Sequence, residues 1–348
     1  MDLYRIFKPL IFISRVFCLA PFSSVEDSGS TRYKFSTFWL IYSILGVFAS
    51  FISQINAFRI SSPFSDAGLY NAFFQVTTAA TCVGGVVTQV LCLNNGKNVV
   101  RILDHLSVLD SEHSGARINY YRLYILFIFH LICCVIYLVP LNAIWFAALD
   151  ANSVYIFQNI YFSIVYMMYD FVLVLSDTQF IHFILLLNYR FSVLNDTLIN
   201  FTVPSLYKTS LNHMIRTPAA DRSVNSSTSA VSSSNTVLKS TLKKVCRHHD
   251  ALCDISESVN KTYSFQILLS VTITCIVVLF MASSSSTELS NPSTLNLYSS
   301  KLFYLMSSFF GLFAETAKVL LLVVVCNRAS HEVSGLHLWC PSVCFLNT

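Results

Sequence analysis

The chain has 348 residues, of which 54% are hydrophobic and 11% charged, with a formal net charge of +4 and a mean hydropathy of +0.60. Water-soluble domains carry about 25% charged residues, so this composition cannot cover a solvent-facing surface. Several apolar runs of about 20 residues, each long enough to cross ~30 Å of hydrocarbon, exclude a soluble fold and predict an all-α polytopic membrane bundle.

The first apolar stretch, Leu10 to Phe22, has the length of a signal-peptide core, but Arg15 interrupts it. An uninterrupted core followed by small residues is needed for cleavage, so residues 1–37 are expected to stay as a cytosolic or interfacial segment. Six membrane helices follow: Phe38 to Ile55, Leu69 to Leu93, Leu123 to Leu149, one starting at Val154, Phe265 to Ser283, and Leu302 to Val325. The runs are continuous, without the alternation of a barrel strand.

The fourth span has no clean end. Ser176-Asp177-Thr178-Gln179 is followed by another apolar run, and no Pro or Gly occurs between Val154 and Leu198. The expectation is one long helix that leaves the bilayer, the alternative being a break near Asp177. Spans one to four thus occupy 38–188, a cytosolic loop 189–262, spans five and six 263–326, and a divergent tail 327–348. Within the loop, the serine-rich residues 223–236 have little to bury and are expected to form a disordered linker, leading to a helix beginning near Val237.

Positive charge sets the orientation. Arg5, Lys8, Arg15, Arg32 and Lys34 precede the first span, and Lys97, Arg101, Arg117 and Arg122 lie between spans two and three. Nine more Lys and Arg residues fall between Arg190 and Lys261, whereas the opposite side holds Arg59 and Lys301. This places the N-terminus in the cytosol, the reverse of a G-protein-coupled receptor.

Asp170, Glu315 and Lys318 are ionisable residues at membrane depth, where charge is costly and marks function. Glu315 and Lys318, three apart, can pair on one helix face, as a gating contact or as a snorkelling lysine with its local partner. A ligand pocket is expected in the outer halves of the spans, walled by Tyr137, Asn142, Trp145, Tyr155, Tyr161 and Tyr166, although Tyr and Trp also enrich at membrane interfaces. His331, His337, Cys340 and Cys344 are too irregularly spaced for zinc. No metal, cofactor, nucleic-acid partner or catalytic constellation is expected. Sequons at Asn195, Asn200, Asn225 and Asn260 fall on the cytosolic side and should stay unmodified.

Several segments resemble the insect gustatory receptor family, which shares its fold with insect odorant receptors. They are Lys8-Pro9-Leu10 with Ser14-Arg15 and Ala20-Pro21-Phe22; Leu187-Asn188-Tyr189-Arg190-Phe191 with Leu194-Asn195; His248 to Cys253 with Val259 to Tyr263; and Cys326 to Ala329 with His331-Glu332. The resemblance implies a plasma-membrane taste receptor subunit, part of a homo- or hetero-tetramer that forms a non-selective cation channel gated by a small-molecule tastant. It also implies a seventh helix lining the pore, with Thr-Tyr followed by Gln-Phe, a pattern not found here. After Gly335 the chain departs from the family, and Leu336 to Thr348, with Pro341, is too short to span a bilayer. The expectation is therefore a shortened form that does not conduct by itself. The alternatives are an accessory subunit or a secondary transporter. A transporter would show two related halves with discontinuous spans, and Gly84-Gly85, the one such interruption, has no counterpart.

Overall fold

The computed structural model describes residues 3–27, 30–61, 68–112, 120–148, 156–215, 228–290 and 298–337. Its elements in order are α1 (Leu3–Val16), β1 (Phe22–Asp27), β2 (Ser30–Phe35), α2 (Thr37–Ser61), α3 (Gly68–Glu112), α4 (Tyr121–Ala148), α5 (Ile156–Ile215), α6 (Thr228–Ser290) and α7 (Tyr298–His337). Among the described residues five stretches are long and apolar enough to cross a membrane: Thr37–Asn56, Val76–Asp110, Ser163–Ile199, Ser240–Ser283 and Phe309–Val333. α4 adds the shorter apolar stretch Tyr121–Cys134. The protein is an all-α polytopic membrane protein with one small hairpin.

The chain divides into two compact units, Met1–His182 with Ser258–Val323, and Phe183–Glu257 with Val324–Thr348. In the first, Phe38, Ile41, Leu45, Phe48 and Ile52 of α2 are exposed. In water such a face would be a liability; against lipid tails it costs nothing. α5 is the opposite: every residue from Val172 to His182 is buried. Its 60 residues form one helix, about 90 Å long at 1.5 Å per residue. The break considered at Asp177 does not occur. Ser176, Asp177, Thr178 and Gln179 are all buried, so the polar run faces protein groups and has no need to reach water.

The N-terminal segment is structured beyond the sequence expectation. Leu3, Tyr4, Ile6, Phe7, Leu10, Ile11 and Ser14 form the buried stripe of α1, recurring at the three-to-four spacing of one helix face. Val16 is followed by a Schellman stop: Leu19 N–H donates to Ser14 O (2.7 Å) and Cys18 N–H to Arg15 O (3.0 Å). This motif puts its left-handed residue where glycine is usual; here it is Cys18, at φ 63°. β1 and β2 pair antiparallel from Phe22↔Phe35 to Asp27↔Ser30. Strand alternation shows in β2, where Tyr33 is buried between exposed Arg32 and Lys34. Tyr33 Oη donates to Tyr4 O (3.0 Å), and burial pushes its phenol pKa up to about 12. Tyr4 Oη in turn donates to Asp104 Oδ1 of α3 (3.0 Å).

The second unit shows why 189–262 is more than a loop. Phe183, Leu187, Phe191, Leu194 and Leu198 of α5 are buried at steps of four, four, three and four, one continuous helical stripe. Val245, His248, His249, Leu252 and Ile255 of α6 are likewise buried. Asn195 Nδ2 donates to Glu332 Oε2 of α7 (3.0 Å), which occupies the amide of that sequon. The linker expectation is corrected in part. Residues 223–227 lie outside the described residues, but from Thr228 the backbone is already helical, ahead of the expected start at Val237. Residues 228–236 contain no Gly or Pro, and once a helix is nucleated, adding a serine costs only about 0.5 kcal/mol.

Candidate functional site

Three helices of the first unit bring polar side chains together inside an otherwise apolar bundle. From α7, Lys318 Nζ lies 2.8 Å from Glu315 Oε2 and 3.9 Å from Asp177 Oδ2 of α5. From α6, Ser270 Oγ donates to Asp177 Oδ2 (2.6 Å) and Thr274 Oγ1 donates to Glu315 Oε2 (3.0 Å). Ser270 and Thr274 are one helical turn apart, so one face of α6 serves two carboxylates. Asp177 is 4% and Glu315 6% exposed. Asp177 Oδ1 has no hydrogen-bond partner.

Beside this cluster is a cleft of about 410 Å³. α4 contributes His130, Cys133 and Cys134; α5 contributes Val174, Asp177, Thr178 and Ile181; α7 contributes Phe310, Phe313, Ala317 and Lys318. At its edge His130 Nδ1 and His182 Nε2 share a hydrogen bond of 3.2 Å. The His182 ring stacks on Phe127 at 3.9 Å, nearly parallel. A smaller cavity of about 230 Å³ lies between the α1 stop, α2, α3 and α5, lined by Cys18, Gly46, Ser50, Gln89 and Tyr169 among others.

The structure brings Glu315 and Lys318 together as the spacing expected, and adds Asp177 as a second carboxylate on a different helix. That addition turns a local i,i+3 pair into a contact between helices. Asp170, two turns before Asp177 on α5, is partly buried. The expected aromatic pocket wall has a different standing. Tyr155 and the side chains of Tyr137, Asn142 and Trp145 lie outside the described residues. Tyr161 packs on the Cys82, Val165 and Tyr169 cluster and donates to Ser53 O of α2 (3.2 Å). Tyr166 is partly buried, and neither tyrosine lines the two cavities above.

Sequence reasoning passed over Asp177, His130, His182, Ser270 and Thr274 as site residues. For Asp177 the signal was present, since a carboxylate inside an apolar run is a site candidate in its own right. The serine and threonine carried none, because hydroxyls are common in membrane helices and only the fold shows which face a carboxylate. Among the described residues no group of His, Cys, Asp and Glu is arranged to hold a metal ion.

A family described as 7tm Chemosensory receptor matches residues 7–338, nearly the whole chain. No curated protein matches it.

Proposed function

This chain belongs to the 7tm chemosensory receptor family, and on that premise we propose that it is a gustatory receptor subunit. In this reading a small-molecule tastant binds among the helices, and the resulting shift admits cations through a tetramer assembled with like subunits. In this reading the chain sits in the plasma membrane with a cytosolic N-terminus, an orientation supported by the lysine and arginine asymmetry of its short loops.

The observation that carries the reading is the Asp177–Lys318–Glu315 cluster. Charged groups at membrane depth cost several kcal/mol unless they pair, so their presence inside the bundle calls for a use. The cluster joins α5, α6 and α7 through contacts that are strong when aligned and weak when displaced. A gate requires an element with two discrete arrangements, and in this reading the cluster is that element.

The test is expression of the full chain, alone and with other family subunits, in a cell line that has no taste response of its own. Membrane current is recorded against a panel of sugars, bitter compounds and amino acids. A tastant-evoked cation current supports the reading, and current only on co-expression assigns the chain an accessory role. Response to volatile odorants alone moves the assignment to the odorant side. An N-terminal tag that antibody reaches on intact cells overturns the orientation.

A further inference from the structure

We propose that the cleft between α4, α5 and α7 binds an amphiphilic organic cation, an ammonium group on an aryl or alkyl body, with Asp177 as its counter-charge. The inference deepens the receptor reading by naming a ligand class for one site, and it rests on that reading only for the consequence of binding.

The first observation is the state of the Asp177 carboxylate. One oxygen, Oδ2, receives the Ser270 hydroxyl at 2.6 Å; the other, Oδ1, is buried and unpartnered. A carboxylate oxygen out of water and without a donor is costly. Asp177 lines the cleft, so a donor entering there can reach this carboxylate.

Charge decides what kind of donor. Among the described residues lining the cleft, Lys318 is the one lysine or arginine, and it sits 2.8 Å from Glu315 against 3.9 Å from Asp177. Its ammonium is committed to the nearer carboxylate, and two carboxylates share one cation. A neutral hydroxyl would satisfy the free oxygen and leave the charge. An anion would meet the Asp177 carboxylate. A small metal cation would need about six oxygen ligands, and besides Asp177 the described lining offers one side-chain oxygen, the Thr178 hydroxyl. An ammonium supplies both donor and charge.

The walls decide what carries it. Phe310 and Phe313 are 45% and 73% exposed, and Val174 and Ile181 lie opposite on α5. Ala314 and Ala317 leave room between them. Aromatic faces also favour a nearby cation. Cys133, Ile136, Ala317 and Leu321, all lining the cleft, are exposed, so the opening faces the surrounding lipid. Amphiphilic amines concentrate there.

The experiment uses the full chain in lipid nanodiscs, with 2-phenylethylammonium as the probe and 2-phenylethanol as its uncharged isostere. The readout is saturable thermal stabilisation, which follows occupancy by mass action. The ammonium should bind at least about tenfold more tightly than the alcohol, and Asp177→Asn should remove that preference. Should Asp177→Asn fail to fold, Ala317→Phe, which fills the cleft and keeps every charge, should weaken the probe by a similar factor. Equal binding of alcohol and ammonium, equal binding to wild type and either variant, or no saturable binding to folded protein would each overturn the assignment. Tastant-evoked current from other ligands stays unaffected by such a failure, so the two readings fall separately.

Discussion

Tyr169 of α5 rests on Gly85 of α3 so closely that a Cβ there would stand 2.4 Å from its Cδ1 and 3.0 Å from its Cβ. Cβ is fixed by the backbone, and the ring that carries Cδ1 is held by the hydrogen bond from Tyr169 Oη to Ser50 O. At the adjacent Gly84 the obstruction is Ile273 Cδ1 at 2.1 Å, with the next atom at 3.5 Å. Ile273 can swing its terminal methyl aside. Gly85→Ala should therefore destabilise by about 1–3 kcal/mol as overpacking does, and Gly84→Ala by clearly less. Thermal unfolding of the two purified variants in detergent gives the order; the reverse order would mean that α5 yields more readily than Ile273.

The Schellman stop supplies a second test. A Cβ at Gly46 of α2 would lie 2.2 Å from Cys18 Sγ and 3.4 Å from Cys18 Cβ. Cys18 occupies the left-handed region, at a cost of about 1–2 kcal/mol to a non-glycine residue. Gly46→Ala alone should destabilise, while Cys18→Gly relieves the backbone and removes the obstructing thiol. The double variant should then be more stable than the sum of the singles by about 1 kcal/mol or more. Strict additivity would show that the α1 stop and α2 are not in contact.

These glycines mark where the sequence was legible and where it was not. Gly84-Gly85 read as an interruption of a span, yet α3 passes through without a break. Small residues in membrane helices admit a neighbour as often as they bend the backbone, and the neighbours, Tyr169 and Ile273, lie far away in sequence. The apolar runs themselves were readable because lipid imposes length and composition directly, and the Glu315–Lys318 pair because a helix fixes it locally. Asp177 joining that pair depended on how α5 packs beside α7, which no local pattern encodes. The hairpin was missed because Phe22–Phe35 is short and polar, and its one strongly buried alternation, Tyr33, has its partner in α1.

Tyr33 makes the hairpin's docking sensitive to alkali. Its phenol has a pKa raised from 10.0 to about 12 by burial, so the folded form holds its proton where the unfolded chain has lost it. The contribution to stability is intact below about pH 10 and is lost as pH climbs toward 12. Tyrosinate absorbance of wild type minus Tyr33→Phe should show a phenol titrating late, and unfolding midpoints should fall across that window. Tyr33→Phe should remove the late-titrating phenol and flatten the pH dependence, at a cost near neutrality of about 1 kcal/mol for the bond to Tyr4 O. An unchanged titration in that variant would place Tyr33 in water.

The charged cluster allows a ranking of substitutions. Lys318→Met leaves Glu315 and Asp177 buried without a cation, and removing one partner of a buried pair typically costs about 3–5 kcal/mol. Glu315→Gln is milder, because Lys318 still has Asp177 at 3.9 Å and the Thr274 hydroxyl can still donate to an amide oxygen. Combining the two leaves Asp177, with its Ser270 bond, as the sole charge of the trio, so the double variant should be less damaged than the summed singles, with a coupling of about 1–3 kcal/mol. Denaturant unfolding in mixed micelles measures all three. Were Lys318→Met as stable as wild type, its ammonium would be reaching the membrane surface and the carboxylates would be solvated there too. Lys318 would then not tie α7 to α5, and a gate built on that tie would have no second state.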